Sequence, residues 1–391
     1  MQLSVIILNY NVRYFLEQCV LSVQNALETI EGEIIVIDNN SPDDSCAMME
    51  KRFPNVKLIR NQHNVGFPKG NNIGVGQAKG EYICILNPDT VVAEDTFIKI
   101  LNFVTSEAVE KNGLGIVGCK LIDGTGNFLP ESKRGVPTPW VAFTKIIGLY
   151  KLPVKSRLVG KYYAQHISET QTGKVDILVG AFMFMKRDLY LDVGGFDEDC
   201  FMYSDDIDLS YRILKLGKSN YYFHETTVIH YKGESTIKDE TYMQHFQEAM
   251  NFFYKKHFSV PFVFSIFMKI GIVIFSLIKM IQGKPRIKIA PKSYLLYSAN
   301  EKLVEKLSLV LQKKILFHDL KTEKMVNSSF INDKLGTEII LDNEFISFKN
   351  CIAFLESSIN KGFTFKIIPS KANFLIGSNN SNERGDVIKI E

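Results

Sequence analysis

Three short apolar runs near the start of the chain each end on a polar group where any surface turn would serve. Leu3 to Leu8 runs into Asn9, "EIIVID" ends on Asp38, and "YICIL" ends on Asn87, Pro88 and Asp89. Between them lie segments with apolar residues at helical spacing, "YFLEQCVLSVQNAL" and "DDSCAMMEKRF". The strand-like "VKLIRN" follows, then "GNNIGVGQA", a helix that the pattern opens at Gly70. Strand and helix in alternation predict a parallel sheet with helices on both faces, and ligands then sit at the carboxyl ends of the strands. Asp38 and Asp89 both fall there.

At 391 residues the chain predicts one large domain with a smaller one, or two of medium size. With 46% hydrophobic and 23% charged residues it can bury a core, and a net charge of +3 is too weak to argue for nucleic acid as the main partner. The six cysteines (Cys19, Cys46, Cys84, Cys119, Cys200, Cys351) form no C-x-x-C pair, which points to reduced thiols and a cytosolic compartment. The opening "MQLSVIILNYN" lacks the basic and apolar pattern of a signal peptide and reads as a first strand.

Beyond residue 95 the pattern loosens. "GIVGCKLIDGTGNF" reads as strand and turn, "SKRGVPTPW" as loop, and the region from about 130 to 170 as an excursion on the acceptor side. Order returns in "VDILVGAFMFMKRDLYLDVGGFDEDC", a strand, a short helix and a Gly-Gly turn, followed by an acidic helix start and the strand and loop of "NYYFHETTVIHYKGEST". From Phe258 to Ile281 the chain is strongly apolar with basic flanks. It is long enough to span a bilayer, but Lys269 at its centre would cost about 2.5 to 3.5 kcal/mol. Ser265, Lys269, Ser276 and Lys279 lie along one narrow helical stripe, which fits a helix lying in a membrane surface; a span and a helix packed on protein are the alternatives. From about residue 290 a second alternation of strands and helices begins. The expected units are therefore 1–255, a membrane-associating helix over 256–285, and a small α/β domain over 286–391.

The segments "VIDNNSPDDS", "HNVGFPKGNNIG", "LNPDTVV", "YSDDIDLSYR" and "IHYKGES" stand in an order that resembles the family 2 glycosyltransferases, especially the bacterial rhamnosyltransferase-like branch. The resemblance covers residues 3 to about 255. It implies a GT-A fold, an α/β nucleotide-diphospho-sugar transferase architecture whose Rossmann-like mixed sheet is flanked by helices. It also implies a nucleotide-diphosphate sugar donor, a divalent metal (Mn2+ or Mg2+) and inverting transfer to an acceptor hydroxyl.

The residue chemistry runs alongside. A carboxylate at Asp38 can accept the imide N–H of uracil or thymine; Asp43 and Asp44 read as helix caps. The resemblance places Asn9, Asn40, Gly66, Phe67, Gly70 and Asn71 along the nucleotide, and a helix start at Gly70 would offer free N–H donors. Asp89 suits a hard divalent ion that neutralises the diphosphate leaving group. The more usual Asp-x-Asp is Asn87-Pro88-Asp89 here, so one carboxylate remains and Asn87 supports the sugar or a metal-bound water. By resemblance His230 is the second metal ligand, and an imidazole favours manganese over magnesium. Lys232 and Ser235 are placed at the diphosphate.

Asp205, Asp206 and Asp208 share a helix start, where the helix dipole favours acids and their crowding raises the pKa of at least one. The resemblance makes Asp206 the base that takes the acceptor proton and Asp205 its acceptor-orienting neighbour; Asp208 and Arg212 read as a structural pair. Gly180 and Ala181 either leave room for a sugar or answer a packing need. "FLIGSNNSNERGDV" resembles a Rossmann-type fragment of polysaccharide-assembly proteins and, lacking a full G-x-G-x-x-G, is assigned no ligand. The expected activity is transfer from a UDP- or dTDP-sugar, with dTDP-rhamnose a candidate, to a cell-surface or lipid-linked glycan at the inner face of the plasma membrane. The alternatives are a non-catalytic glycan-binding or assembly protein and a nucleotidyltransferase. The latter needs basic residues after the first strand, where "NYNVR" offers only Arg13.

Overall fold

The computed structural model describes residues 1–138, 141, 161–200, 203–232, 240–258, 290–323, 336–379 and 385–390. Strands β1 (Leu3–Asn9), β2 (Gly32–Asp38), β3 (Lys57–Arg60) and β4 (Tyr82–Leu86) are parallel, in the spatial order β3-β2-β1-β4. Every residue of β1 and β4 is buried, as a strand covered on both faces requires. Val5 and Ile7 pack with α1 (Arg13–Leu27), α2 (Ser45–Arg52) and α4 (Thr96–Val104), while Ile6 and Leu8 share the opposite cluster with Val75 at the end of α3 (Phe67–Val75). The period-two alternation of the strand thus divides the core into two layers.

Past β4 the sheet becomes mixed, the arrangement that the resemblance implies. β8 (Phe182–Lys186) is antiparallel to both β4 and β6 (Leu114–Ile122), and β9 (Ser219–His230) runs parallel to β6. β5 (Thr90–Val91) and β7 (Gly173–Val175) pair antiparallel with β9. Two reversals restore the direction, so β6 and β9 end at the same edge as β1, β2 and β4, and β8 begins there. Helices α5 (Glu107–Lys111), α6 (Arg187–Asp192), α7 (Asp205–Lys215) and α8 (Glu240–His257) complete the first unit.

Helix α3 starts at Phe67, not at Gly70. Gly66 precedes it at φ +85°, and Pro68 stands in its first turn, where a missing N–H costs nothing. The Gly70 amide is already bonded within the helix, to the Gly66 carbonyl at 3.2 Å, so it offers no free donor. Its missing side chain serves packing, since a Cβ there would lie 2.4 Å from Leu8 Cδ1.

The second sheet has six strands, ordered β11 (Ile315–Asp319), β10 (Ser293–Ser298), β12 (Thr337–Asp342), β13 (Thr364–Ile368), β14 (Phe374–Gly377) and β15 (Asp386–Lys389). The first four are parallel and the last two antiparallel, with helices α9 (Lys302–Leu311) and α10 (Phe348–Ser357). This unit packs against the first: Val91, Ala93, Ile229 and Tyr231 share one apolar cluster with Leu341, Phe348, Phe354 and Phe365.

Of the apolar stretch from Phe258 to Ile281, only Phe258 is among the described residues; it stacks on Tyr211 of α7, ring centroids 5.9 Å apart. No helix among the described residues is long and apolar enough to cross a membrane. All six cysteines are free thiols.

Candidate active site

The turn that follows β4 aims Asp89. Thr90 Oγ1 donates to the Asn87 carbonyl at 2.8 Å, Pro88 fixes its own φ, and Thr90 pairs across the edge with His230. The Tyr231 amide then donates to the Asp89 carbonyl at 3.0 Å. The result is a buried pair in which His230 Nε2 lies 3.4 Å from Asp89 Oδ1. Asn87 Nδ2 lies 3.4 Å from the same ring nitrogen. Asn87 Oδ1 and His230 Nδ1 are buried with no partner among the described residues, a state that native interiors rarely leave unused.

A second acidic group stands at the start of α7. Asp206 Oδ2 accepts from Arg134 Nη2 at 2.6 Å and from the Gly180 amide at 3.0 Å, whereas its Oδ1 is buried without a partner. Burial and the neighbouring Asp206 charge push the Asp205 carboxyl up to about 7, so the raised acid of the cluster is Asp205. Asp208 is fully buried and pairs with Arg212 at 2.6 Å and with His257 at 2.6 Å. The remaining Arg212 nitrogens bond the Val193 and Gly195 carbonyls, anchoring α7 to the Gly-Gly turn.

The two acidic groups meet through residues 180 and 181. The Asn87 amide donates to the Ala181 carbonyl at 3.1 Å, one residue from the Gly180 amide that holds Asp206. A Cβ at Gly180 would make only ordinary contacts, 3.5 Å to Asp206 Cβ and 3.6 Å to Phe67 Cζ. Close packing therefore does not demand glycine there.

On the far side of the edge, Asp38 Oδ1 accepts from Asn9 Nδ2 at 2.7 Å and Ser41 Oγ at 2.6 Å, and its Oδ2 accepts from the Ser41 amide at 2.9 Å. The Cys46 side chain is a further hydrogen-bond partner of Asp38. Asn40 is exposed at φ +63°. Asn71 donates to the Phe67 carbonyl at 2.9 Å and buries an unpartnered Oδ1. Asp43 accepts from the Arg13 and Ser45 amides and so caps two helices. Asp44 makes no cap bond and pairs with Arg13 at 3.4 Å.

The Lys232 ammonium pairs with Glu131 and its backbone is left-handed at φ +64°; Ser235 lies outside the described residues. The sequence reading missed Arg134, Glu131 and the asparagines that pin the Gly66 loop, where Asn64 Oδ1 accepts from the Gly66 amide at 3.0 Å and from Asn39 Nδ2 at 3.0 Å. The first two lie in "PESKRG", a charged run in a segment read as loop, which by itself does not tell a buried charge from a solvated one.

Residues 4–194 match the family model described as glycosyl transferase family 2. The N-terminal unit belongs to glycosyltransferase family 2. Its mixed, helix-flanked sheet is the GT-A fold. An N-acetylglucosaminyl-diphospho-decaprenol L-rhamnosyltransferase of Mycobacterium tuberculosis is 26% identical over 250 residues, covering 61% of this chain and 78% of the relative. The rhamnosyltransferase WbbL of Escherichia coli is 29% identical over 176 residues, 42% of this chain and 61% of the relative. Among solved structures, a mannosyltransferase of Pyrobaculum calidifontis in complex with GDP-mannose and Mn2+ aligns with 64% of this chain and 64% of its own, at 17% identity and a TM-score of 0.43.

In this family 2 unit the donor set of Asp89 and His230 fits a hard divalent ion. Two ligands about 2.1 Å from one octahedral ion, at right angles, stand about 3 Å apart, and the observed separation is 3.4 Å. No three His, Cys, Asp or Glu side chains converge among the described residues, so the protein would supply two ligands and substrate oxygens and water the rest. Such ions are commonly bound that way beside phosphates.

Proposed function

We propose that this chain is an inverting, metal-dependent glycosyltransferase that moves a sugar from a UDP- or dTDP-sugar to a hydroxyl of a lipid-linked or cell-surface glycan. dTDP-rhamnose is the donor favoured by the two rhamnosyltransferase relatives, and the decaprenol named for the mycobacterial relative favours a polyprenol-linked acceptor. The observation that carries the reading is the pairing of Asp89 with His230 on the same sheet edge as Asp206, joined to it through Ala181 and Gly180.

In this reading Asp38, fixed by Asn9 and Ser41, offers its carboxylate to a pyrimidine imide. Asn71 and the Gly66 loop line the nucleoside, and Asp89 and His230 hold Mn2+ or Mg2+, which would neutralise charge on the departing diphosphate. Asp206 takes the acceptor hydroxyl proton on Oδ1. The acceptor oxygen bonds to the anomeric carbon as the bond from that carbon to the diphosphate oxygen breaks, and the electron pair leaves on the nucleoside diphosphate. Attack opposite the leaving group inverts the centre. Asp205 lies beside Asp206 to orient the acceptor.

Arg13 argues against a nucleotidyltransferase, because its guanidinium is engaged by Glu17 at 2.8 Å and by Asp44. We read residues 1–255 as the catalytic unit and 286–391 as a separate α/β unit. The basic-flanked stretch within 256–285 is the segment that would hold the protein at the inner face of the plasma membrane. The test is a thermal-shift screen of nucleotide sugars with Mn2+, followed by turnover assays on polyprenol-linked acceptors. A protein that neither binds nor consumes any nucleotide sugar, with either metal, would end this reading.

A further inference from the structure

A buried cation stands against the proposed base and has no role so far. Arg134 lies in the segment after β6, where its backbone exchanges two 2.9 Å hydrogen bonds with Ile177. Nη2 reaches Asp206 Oδ2 at 2.6 Å and the Leu178 carbonyl at 3.0 Å, while Nε is buried without a partner. The adjacent Lys133 turns elsewhere, to the Tyr163 and Ala164 carbonyls. Both donors to Asp206, Arg134 and the Gly180 amide, grip the same oxygen. That leaves Oδ1 as the only basic oxygen a substrate can use.

The surrounding charges make this contact decisive. From α7, Asp205 stands beside Asp206; Asp208, two residues further, is neutralised by Arg212 and Lys256 and also hydrogen-bonds His257. Tyr162 and Glu131 act on Arg134 from its other side, and Glu131 is itself paired with Lys232. Among the described residues Arg134 is thus the one cation hydrogen-bonded to Asp206. Two adjacent buried carboxylates without a cation cannot both ionise at neutral pH.

We propose that Arg134 is the positioning residue that selects Asp206 over Asp205 as proton acceptor, anchoring Oδ2 and turning Oδ1 toward the acceptor hydroxyl. The proposal rests on the reading of Asp206 as base. The charge distribution agrees with it, because burial and the Asp206 charge raise Asp205, against which the Arg134 charge is an opposing influence. An arginine contact weakens a carboxylate as a base, yet it keeps that carboxylate ionised and its geometry fixed, and proton transfer depends steeply on both.

The test is the pH profile of kcat/KM for Arg134→Gln and Arg134→Lys, with Asp206→Asn as control and donor KM as second readout. Removing the cation destabilises the ionised carboxylate, so in Arg134→Gln the acid limb should move up by about one pH unit or more. kcat should fall about 100-fold, the cost of a misplaced group, with donor KM within about twofold, since among the described residues Arg134 hydrogen-bonds only Asp206, Leu178 and Ile177. Arg134→Lys keeps the charge but loses the fork, so its limb should stay in place while kcat falls. An unmoved limb in Arg134→Gln, or a loss confined to donor KM, overturns the proposal. If Arg134→Gln does not fold, Arg134→Lys decides alone: lowered kcat with an unmoved limb supports it, and a native rate overturns it. Turnover by Asp206→Asn instead removes the base reading itself, so the two failures are distinguishable.

Discussion

Glu94 joins the second unit to the edge that carries Asp89 and His230, and its removal gives a measurable consequence. Its two carboxylate oxygens accept the first two amides of α10, Phe348 N at 2.7 Å and Lys349 N at 2.8 Å. These donors have no partner within the helix, and Phe348 is fully buried. Loss of a capping side chain costs about 0.5 to 2 kcal/mol, the charge at a helix N-terminus contributes about 0.3 to 1 kcal/mol, and a buried amide left unpaired costs about 1 to 3 kcal/mol. These contributions overlap and do not add. Glu94→Ala should therefore cost about 2 kcal/mol, and Glu94→Gln, which keeps one acceptor, about 1 kcal/mol. At about 1.2 °C per kcal/mol for 391 residues, from an unfolding entropy of about 2.1 cal/mol/K per residue, the melting temperature should fall about 2.4 °C and about 1.2 °C respectively. Thermal denaturation of the full chain, followed by circular dichroism, measures this. A Glu94→Ala variant melting within about 0.5 °C of the parent, against a shift of about 2.4 °C expected, would refute the assigned cap.

Other perturbations test separate parts of the structure. Asp205 has a folded pKa raised above its unfolded value of about 3.9, so its ionisation costs stability; that cost is absent below the unfolded pKa and grows as pH rises toward about 7. Asp205→Asn should accordingly raise the melting temperature at pH 8 and leave it unchanged at pH 4, and an equal effect at both values would contradict the raised acid. Replacing His230 by Ala should raise the Mn2+ concentration for half-maximal donor binding about tenfold or more, read by titration calorimetry; unchanged metal dependence would remove it as a ligand. At Gly126, with φ +87° and an ideal Cβ 2.3 Å from the Leu355 carbonyl oxygen, alanine should destabilise by about 2 to 4 kcal/mol through strain and overpacking. Denaturant unfolding checks that value, and a neutral result would mean that the two units separate there freely.

How much of this was legible in the sequence depends on whether a residue's role is local. Asn9, Asp38 and Asp89 stand where apolar runs stop, and chain direction alone puts such ends on one edge of a sheet. The α3 boundary was misread because helical periodicity was followed to Gly70, whereas Gly66, Phe67 and Pro68 carried the start signal. The parallel reading holds from β1 to β4, and the mixed sheet beyond it comes from the resemblance, since a single apolar run such as β8 does not disclose its direction; only its pairing with β4 and β6 does. Arg134 was invisible for a stronger reason. Its partner is 72 positions away, and nothing in "SKRG" distinguishes a guanidinium that will be buried against a carboxylate from one on a solvated loop.

The same logic bears on the second unit. It covers the face of the β5 and β9 edge through Val91, Ala93, Ile229 and Tyr231, residues that flank Asp89 and His230 in sequence. A two-residue strand such as β5 has too few ladder bonds to fix the adjacent Asp89, the proposed metal ligand, by itself. Apolar packing from Phe348 and Leu341 on one side, with the Glu94 carboxylate fixed on α10, supplies the rigidity that the short strand lacks. The second sheet therefore need not bind anything to matter for transfer. If Asp89 and His230 hold the proposed ion, its packing against β5 and β9 predicts that loss of Glu94 weakens metal binding as well as stability.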